Sequence, residues 1–303
     1  MKDIIKEIKR ISKHFGVEPH QLTPVQFFSI AETTEWDVRK LGGFKKVLDS
    51  LFPVTIKAEQ SLVDQLRKPK KLILKSEDFI DAVVIGDMHL IWPDADVVNR
   101  IMDDIARKPP KFVIQMGDLY DFYNFSKYKK SRNLVMPKTE LVTGKAMADK
   151  FWNNVKDAAP KAKKYQLIGN HDERVIKMIY EKFPEIESLF DPNSLFKFDS
   201  VHTMESESDE LIINDTMFIH GYLSKPGDHA KKNGMNVVCA HSHRPGLEVM
   251  HYNGRTIYEV NAGYVSNPLA PCFKYGQQKR KNWARSYVRM DEHGPRVIIM
   301  EKK

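Results

Sequence analysis

The sequence predicts an α/β core preceded by a small all-helical N-terminal domain, and two observations carry this. From residue 81 onward, short β-rich apolar runs end in Gly or a polar loop and alternate with amphipathic stretches. Ahead of that point, apolar residues recur at helical spacing and are punctuated by Gly and Pro.

Residues 2–15 place Ile4, Ile5, Ile8, Ile11 and Phe15 at helical spacing, and Gly16 follows as a stop. Thr23-Pro24 supplies a hydroxyl N-cap and a first-turn proline for a short helix through Phe27 and Phe28. Thr33 or Thr34 caps a segment bearing Trp36, Val38 and Leu41, which Gly42-Gly43 breaks. Phe44, Val47, Leu48 and Leu51 then start another helix that Pro53 closes. Residues 1–53 thus read as a helical module. Residues 54–80, with Arg67-Lys68-Pro69-Lys70-Lys71, read as a linker or wrapping arm, and 81–303 as the second domain. Its predicted strands are Ala82–Gly86, Phe112–Gly117, Tyr165–Gly169, Thr216–Gly221 and Asn236–Ala240. Between them, Val97/Val98/Ile101/Ile105, Leu141/Val142/Phe151/Val155 and Val175/Ile176/Ile179 keep helical spacing.

Apolar residues make up 42% of the 303 and charged residues 29%, which excludes wholesale disorder and fibrous architectures. No uninterrupted apolar stretch approaches the ~20 residues needed to span a bilayer. Met1 through Lys6 are charged throughout and lack the apolar region of a secretory signal. With only Cys239 and Cys272, a disulfide framework is not expected and a reducing cytoplasm is. The net charge is +8, and residues 1–75 hold a surplus of six cations against two for the remainder. A basic first third suggests an anionic partner for that segment.

The chemistry lies in the residues just beyond each apolar run. These segments are Gly86-Asp87-Met88-His89, Gly117-Asp118-Leu119-Tyr120-Asp121, Gly169-Asn170-His171-Asp172, His220-Gly221 and Ala240-His241-Ser242-His243. In open α/β sheets the loops beyond the carboxyl ends of strands converge on one crevice. Asp, His and Asn without thiolates describe a site for a hard-to-borderline divalent metal. Any one of these motifs alone reads more readily as a turn or a helix cap. Their ordered recurrence after five predicted strands removes most of that coincidence.

Over roughly residues 82–245 these ordered motifs resemble those of the calcineurin-like metallophosphoesterase superfamily. The resemblance implies a β-sandwich core flanked by helices, with 81–303 as the catalytic domain. It implies Asp87, His89 and His243 on one divalent metal ion, Asn170, His220 and His241 on a second, and Asp118 bridging the two. It also implies His171 as a non-ligand histidine near the scissile phosphate, with Asp172 orienting its imidazole. Ala240 stands where the family usually has Gly, which predicts a changed loop angle and no lost ligand. Two such cations would acidify a bridging water towards pKa ~7 for in-line attack on phosphorus, and His171 would protonate the leaving alkoxide. Manganese is the expected metal, with iron or zinc as alternatives. Arg174 either grips a substrate phosphate bidentately or is a solvated helix residue. Asp121 either orients a ligand or is an exposed loop acid. His229 and Lys231 are expected at the surface, and Cys239 as a small apolar strand residue.

A metal centre gives the reaction class and leaves the substrate open. Residues 11–48, through Ile11-Ser12-Lys13-His14-Phe15-Gly16, Leu22-Thr23-Pro24 and Leu41-Gly42-Gly43-Phe44-Lys45-Lys46-Val47-Leu48, look like the small helical repeats associated with homing endonucleases. That likeness implies Arg39, Lys40, Lys45 and Lys46 against DNA phosphates; the alternative is a helical cap on the catalytic domain. Tyr120 through Arg132 interleaves aromatics and bases beside the site, with Tyr123 and Lys127 suited to stacking on bases and tracking phosphates. Tyr275 through Arg289 repeats the mixture with Trp283, Arg285, Tyr287 and Arg289, as a plain amphipathic strand would also do. The chain is similar, finally, to calcineurin-like phosphoesterases commonly encoded by bacteriophages and often labelled DNA-repair exonucleases. The better-studied double-strand-break-repair exonucleases carry a histidine where Asp121 stands and a coiled-coil partner site, so no stable protein partner is expected here. The expectation is therefore a two-metal phosphodiesterase hydrolysing DNA in the cytoplasm of a bacterial host. Its alternatives are a small-molecule phosphoesterase acting on nucleotides or cyclic nucleotides, and a DNA-binding protein with a non-catalytic scaffold.

Overall fold

The computed structural model describes residues 2–22, 26–27, 31, 38, 46–47, 69–76, 78–126, 135–182, 192–270, 273 and 282–300. By its contacts the chain divides into Met1–Lys68 and Pro69–Lys303. In the first unit the 3.6-residue periodicity puts the isoleucines of α1 (Lys2–Phe15) on one face. Ile4, Ile8 and Ile11 are buried with Leu22, Phe27, Val38 and Val47 in one apolar cluster. The predicted boundaries at Thr23-Pro24, Thr33, Thr34 and Gly42-Gly43 lie outside the described residues.

The second unit is built from β1 (Lys71–Leu74), β2 (Ala82–Ile85), α2 (Ala95–Arg107), β3 (Phe112–Gln115), α3 (Pro137–Ala158), β4 (Lys163–Gln166) and α4 (Glu173–Lys182). These are followed by β5 (Val201–Thr203), β6 (Glu210–Ile213), β7 (Thr216–Phe218), α5 (Asp228–Asn233), β8 (Asn236–Cys239), β9 (Gly246–Tyr252), β10 (Arg255–Asn261), β11 (Ser286–Asp291) and β12 (Gly294–Ile299). Among the described residues they form two six-stranded mixed sheets, ordered β12-β11-β2-β3-β4-β5 and β1-β6-β7-β8-β10-β9.

Continuous apolar runs such as Ala82-Val83-Val84-Ile85 suit strands covered on both faces, and the period of two decides which residue meets which layer. Ala82 and Val84 join Leu211, Phe218, Val238, Val260 and Val288 in the core between the sheets. Val83 and Ile85 join Val97 and Ile101 of α2 and Trp152 and Val155 of α3 on the outer face. The result is a β-sandwich flanked by helices, as the family resemblance implied.

The stretch read as a linker or wrapping arm, 54–80, contains β1, which pairs in parallel with β6 from Lys71↔Glu210 to Leu74↔Ile213. Its alternation is clear only against its neighbour: Leu72 and Leu74 are half-buried on the sandwich core while Ile73 faces solvent. Among the described residues no helix is long and apolar enough to cross a membrane.

Candidate metal centre

Strands β2, β3 and β4 run parallel in one sheet, as do β7 and β8 in the other. Their carboxyl ends therefore deliver the five motifs to one edge of the sandwich. The glycines at these ends have a steric reason. A Cβ on Gly169 would collide with the backbone nitrogen and Oδ1 of Asp118, and one on Gly86 would collide with the Gly263 carbonyl oxygen. Beyond the glycines, His89, Asp118, His241 and His243 all take left-handed backbone conformations, with φ of 46°, 49°, 62° and 60°. Non-glycine residues there cost on the order of 1–3 kcal/mol each, a strain that clusters at functional sites.

Ligand atoms of Asp87, His89 and His243 lie within 4.8 Å of one another, and so do those of Asp118, His220 and His241. In the first group, His243 Nε2 is 2.8 Å from Asp87 Oδ2 and 3.2 Å from His89 Nε2. In the second, Asn170 Oδ1 is 3.1 Å from His220 Nε2 and 2.9 Å from His241 Nδ1, while Asp118 Oδ2 is 3.4 Å from His220 Nε2. The far nitrogens set the tautomers. His220 Nδ1 donates to the Met116 carbonyl at 3.0 Å, and His89 Nδ1 faces Asp121 Oδ1 at 3.1 Å. Each Nε2 is then the nitrogen aimed into its group, where a cation would take the place of a proton, as in metal-bound histidines.

The local field agrees. Burial by itself pulls the His220 imidazole down, yet the Asp118 and Asp87 carboxylates raise it to about 10. Burial by itself pushes the Asp118 carboxyl up, and the His171 and His220 imidazoles hold it well below the usual carboxylate range. Converging lone pairs in a net negative, buried locus fit a cation, and the hard and borderline donors fit a divalent one. Asp87, His89 and His243 would hold one ion, and Asp118, Asn170, His220 and His241 the other.

One predicted contact is corrected. Asp172 does not orient His171; its carboxylate accepts the backbone N–H groups of Gly169 at 2.9 Å, Tyr120 at 2.9 Å and Leu119 at 3.3 Å. It lashes the β3 loop to the β4 loop. Burial, with Asp118 beside it, pushes its pKa up to about 7. The imidazole is held by Asp121, whose Oδ1 is 3.0 Å from His171 Nδ1. Asp121 is buried, so the exposed-acid reading is excluded. Arg174 is not a solvated helix residue either: Nη1 donates to the Asp121 carbonyl at 2.8 Å and Nη2 lies 2.7 Å from His171 Nε2.

Other expectations fare differently. Lys46 is exposed, whereas Arg39, Lys40, Lys45 and Lys127 lie outside the described residues. Tyr123 sits half-buried in the turn after Asp121. That turn is fastened by Glu140 of α3, which accepts from Tyr123 N at 2.6 Å and Asn124 N at 3.0 Å. Sequence reasoning misses Glu140 because an acid in a helix's first turn looks solvent-facing until the fold covers it. Arg285 and Arg289 are spent on Asp94 and Asp81, and Tyr287 lies in the buried strand β11. Trp283 packs edge-on against His243 at 4.4 Å between ring centroids, and Phe273 meets His89 at 5.1 Å.

His229 is buried, contrary to the expected exposure. With Cys239 and Glu259 it forms another compact donor group. Those donors serve the fold: His229 Nε2 accepts from Tyr222 N and Leu223 N at 3.1 Å each, and burial pushes the Cys239 thiol up. Ala240, in place of the usual glycine, turns its methyl into the core between the sheets. His241 and His243 still reach their groups.

A helix-flanked sandwich with two clustered His/Asp groups at its strand ends is the architecture of a metal-dependent hydrolase. The chain belongs to the calcineurin-like phosphoesterase family, whose model matches residues 81–259. No curated protein matches the sequence. Similar solved structures include Yfce, a phosphoesterase from E. coli, at 16% identity over 73% of this chain and 97% of that one, with a TM-score of 0.38. Vps29 of Chaetomium thermophilum matches at 14% identity over 74% and 96%, with a TM-score of 0.34. Vacuolar Protein Sorting 29 of Cryptosporidium parvum matches at 13% over 75% and 99%, with a TM-score of 0.35.

Proposed function

We propose that this phosphoesterase is a two-metal phosphodiesterase that hydrolyses DNA. The observation that carries the diesterase chemistry is the chain Asp121–His171–Arg174 set against Asp118, with His171 Nε2 3.8 Å from Asp118 Oδ2. When bound, the two cations, manganese first among the candidates, supply Lewis-acid stabilisation of a phosphoryl group. The chain's own residues supply the proton and the grip. Asp121 fixes the ring so that Nδ1 carries a proton and Nε2 faces the site. Burial alone would lower the His171 pKa, but the Asp118 and Asp121 charges raise it, so the ring takes a second proton readily once Nε2 is free. Arg174 Nη2 donates to Nε2 in the resting arrangement, and it vacates that lone pair when its guanidinium turns to a substrate phosphate. Substrate binding thereby frees Nε2 to take a proton from solvent and pass it to the leaving alkoxide.

The basic surplus of residues 1–75 and the Tyr123 turn beside Asp121 support DNA as the substrate. A second reading, a small-molecule phosphoesterase, is favoured by the pairing of Arg285 and Arg289 with aspartates, which withdraws two cations of the Tyr275–Arg289 mixture from nucleic acid. End-labelled single- and double-stranded DNA should be cut in the presence of Mn²⁺ and spared in chelator. Turnover confined to mononucleotides or cyclic dinucleotides would establish the second reading instead.

A further inference from the structure

A cleft of about 260 Å³ is lined by residues that neighbour His243 and His220 in the chain. Ser242 and Arg244 of its wall bracket His243, while Leu223, Ser224 and Lys225 come directly after His220-Gly221-Tyr222. The volume lies just below the ~300–1,000 Å³ usual for small-ligand sites, room for one unit of a substrate and not for a whole one.

The charges in the cleft are Glu259, Arg244, Lys225 and the exposed Glu248, whose carboxylate opposes an anion, and they are unequal in availability. Glu259 accepts the backbone N–H groups of Gly227, His229 and Ala230 at 2.8–3.0 Å, so its carboxylate is consumed by α5. Arg244 reaches only the Ser224 carbonyl, at 3.5 Å from Nη1, and its Nε is shielded from solvent with no hydrogen-bond partner among the described residues. A shielded guanidinium nitrogen without a partner is costly unless a ligand completes it, and the planar fork matches the oxygens of a phosphate. Ser242 Oγ already accepts from Asn261 Nδ2 at 3.0 Å, which leaves its own O–H to donate. Lys225 adds an exposed cation at the mouth, and Leu223 an apolar wall.

We infer that this cleft holds the phosphodiester next to the scissile one, with Arg244 pairing its non-bridging oxygens, Ser242 donating to it and Lys225 attracting it. The inference rests on the phosphodiesterase reading above and narrows it: the substrate class is a polynucleotide strand bearing a second phosphate one nucleoside away from the bond that breaks.

The test compares two diesters in Mn²⁺ with the full-length protein. The p-nitrophenyl ester of thymidine 5′-phosphate carries the scissile phosphate alone, and a short oligothymidylate carries neighbours. The wild-type protein should favour the oligonucleotide in kcat/KM. Arg244→Ala should lower that preference by about 10- to 100-fold, chiefly through KM, as expected for one charged hydrogen-bonded contact. Arg244→Lys should recover part of it. Lys225→Ala, at an exposed position, should flatten the salt dependence of oligonucleotide kcat/KM. A wild-type protein that hydrolyses both diesters with no preference overturns the subsite alone, as does an Arg244→Ala variant that loses the two activities in equal proportion. Failure of the wild-type protein on both diesters instead overturns the phosphodiesterase reading, and the subsite falls with it.

Discussion

Asp121 serves two imidazoles with one oxygen, 3.1 Å from His89 Nδ1 and 3.0 Å from His171 Nδ1. Burial alone would raise this carboxyl, and the two histidines hold it far below the ordinary range. One side chain therefore orients a metal-facing histidine and the proposed acid together. Asp121→Ala should weaken metal affinity by about 10- to 100-fold, read by chelator competition. His171→Ala should keep its metal and lose about 10²- to 10⁴-fold in kcat. Metal analysis beside kinetics separates the two, and loss of both ions from the His171 variant would make that residue a ligand. Asp172 acts differently because its partners are backbone amides. Asp172→Asn replaces one acceptor oxygen with a donor and sets it against an N–H, which should cost about 1–3 kcal/mol in urea unfolding of the metal-free protein.

The loops that hold the site are tied to neighbouring elements by carboxylates rather than by their own sequence. Glu259 of β10 caps the start of α5 through three backbone N–H groups and lies 3.6 Å from His229 Nδ1, while the same imidazole holds Tyr222 and Leu223 behind His220. Burial by itself raises the Glu259 carboxyl, but His229 and the amides leave its pKa below the ordinary value. A depressed acid stabilises the fold above its unfolded pKa and loses that contribution as pH falls through the folded one. Glu259→Gln should therefore destabilise the protein at neutral pH, with a gap to wild type in melting temperature that closes as the solution is acidified below the usual carboxyl range. Packing between strand ends is equally unforgiving. Gly169→Ala would drive a methyl into Asp118, so its metal binding should collapse in a chelator titration even if the sandwich still folds.

At the scale of the molecule, the basic surplus lies in the first 75 residues and the donors lie in the sandwich. If Met1–Lys68 binds DNA, Arg39→Ala with Lys40→Ala should weaken binding and reduce the salt slope by roughly 0.7–0.9 for each phosphate left unneutralised. Unchanged binding in a fluorescence anisotropy titration would leave that unit as a cap. Strands β2, β3 and β8 were legible because buried runs announce themselves, and they ended in Gly-Asp, Gly-Asp and His-x-His. Strand β1 was not, since its alternation becomes meaningful only once Leu72 and Leu74 have a core to face. The same limit governs the site. Residue type and order along the chain were enough to name a divalent metal centre, because donor chemistry is a property of each side chain. Which acid holds His171, and whether His229 is wet or buried, came from pairings across some 30 to 50 positions, at distances that local sequence does not encode. Hydrogen-bond partners are fixed by where folded loops meet, so Asp121 displaced the adjacent Asp172 only in the tertiary structure.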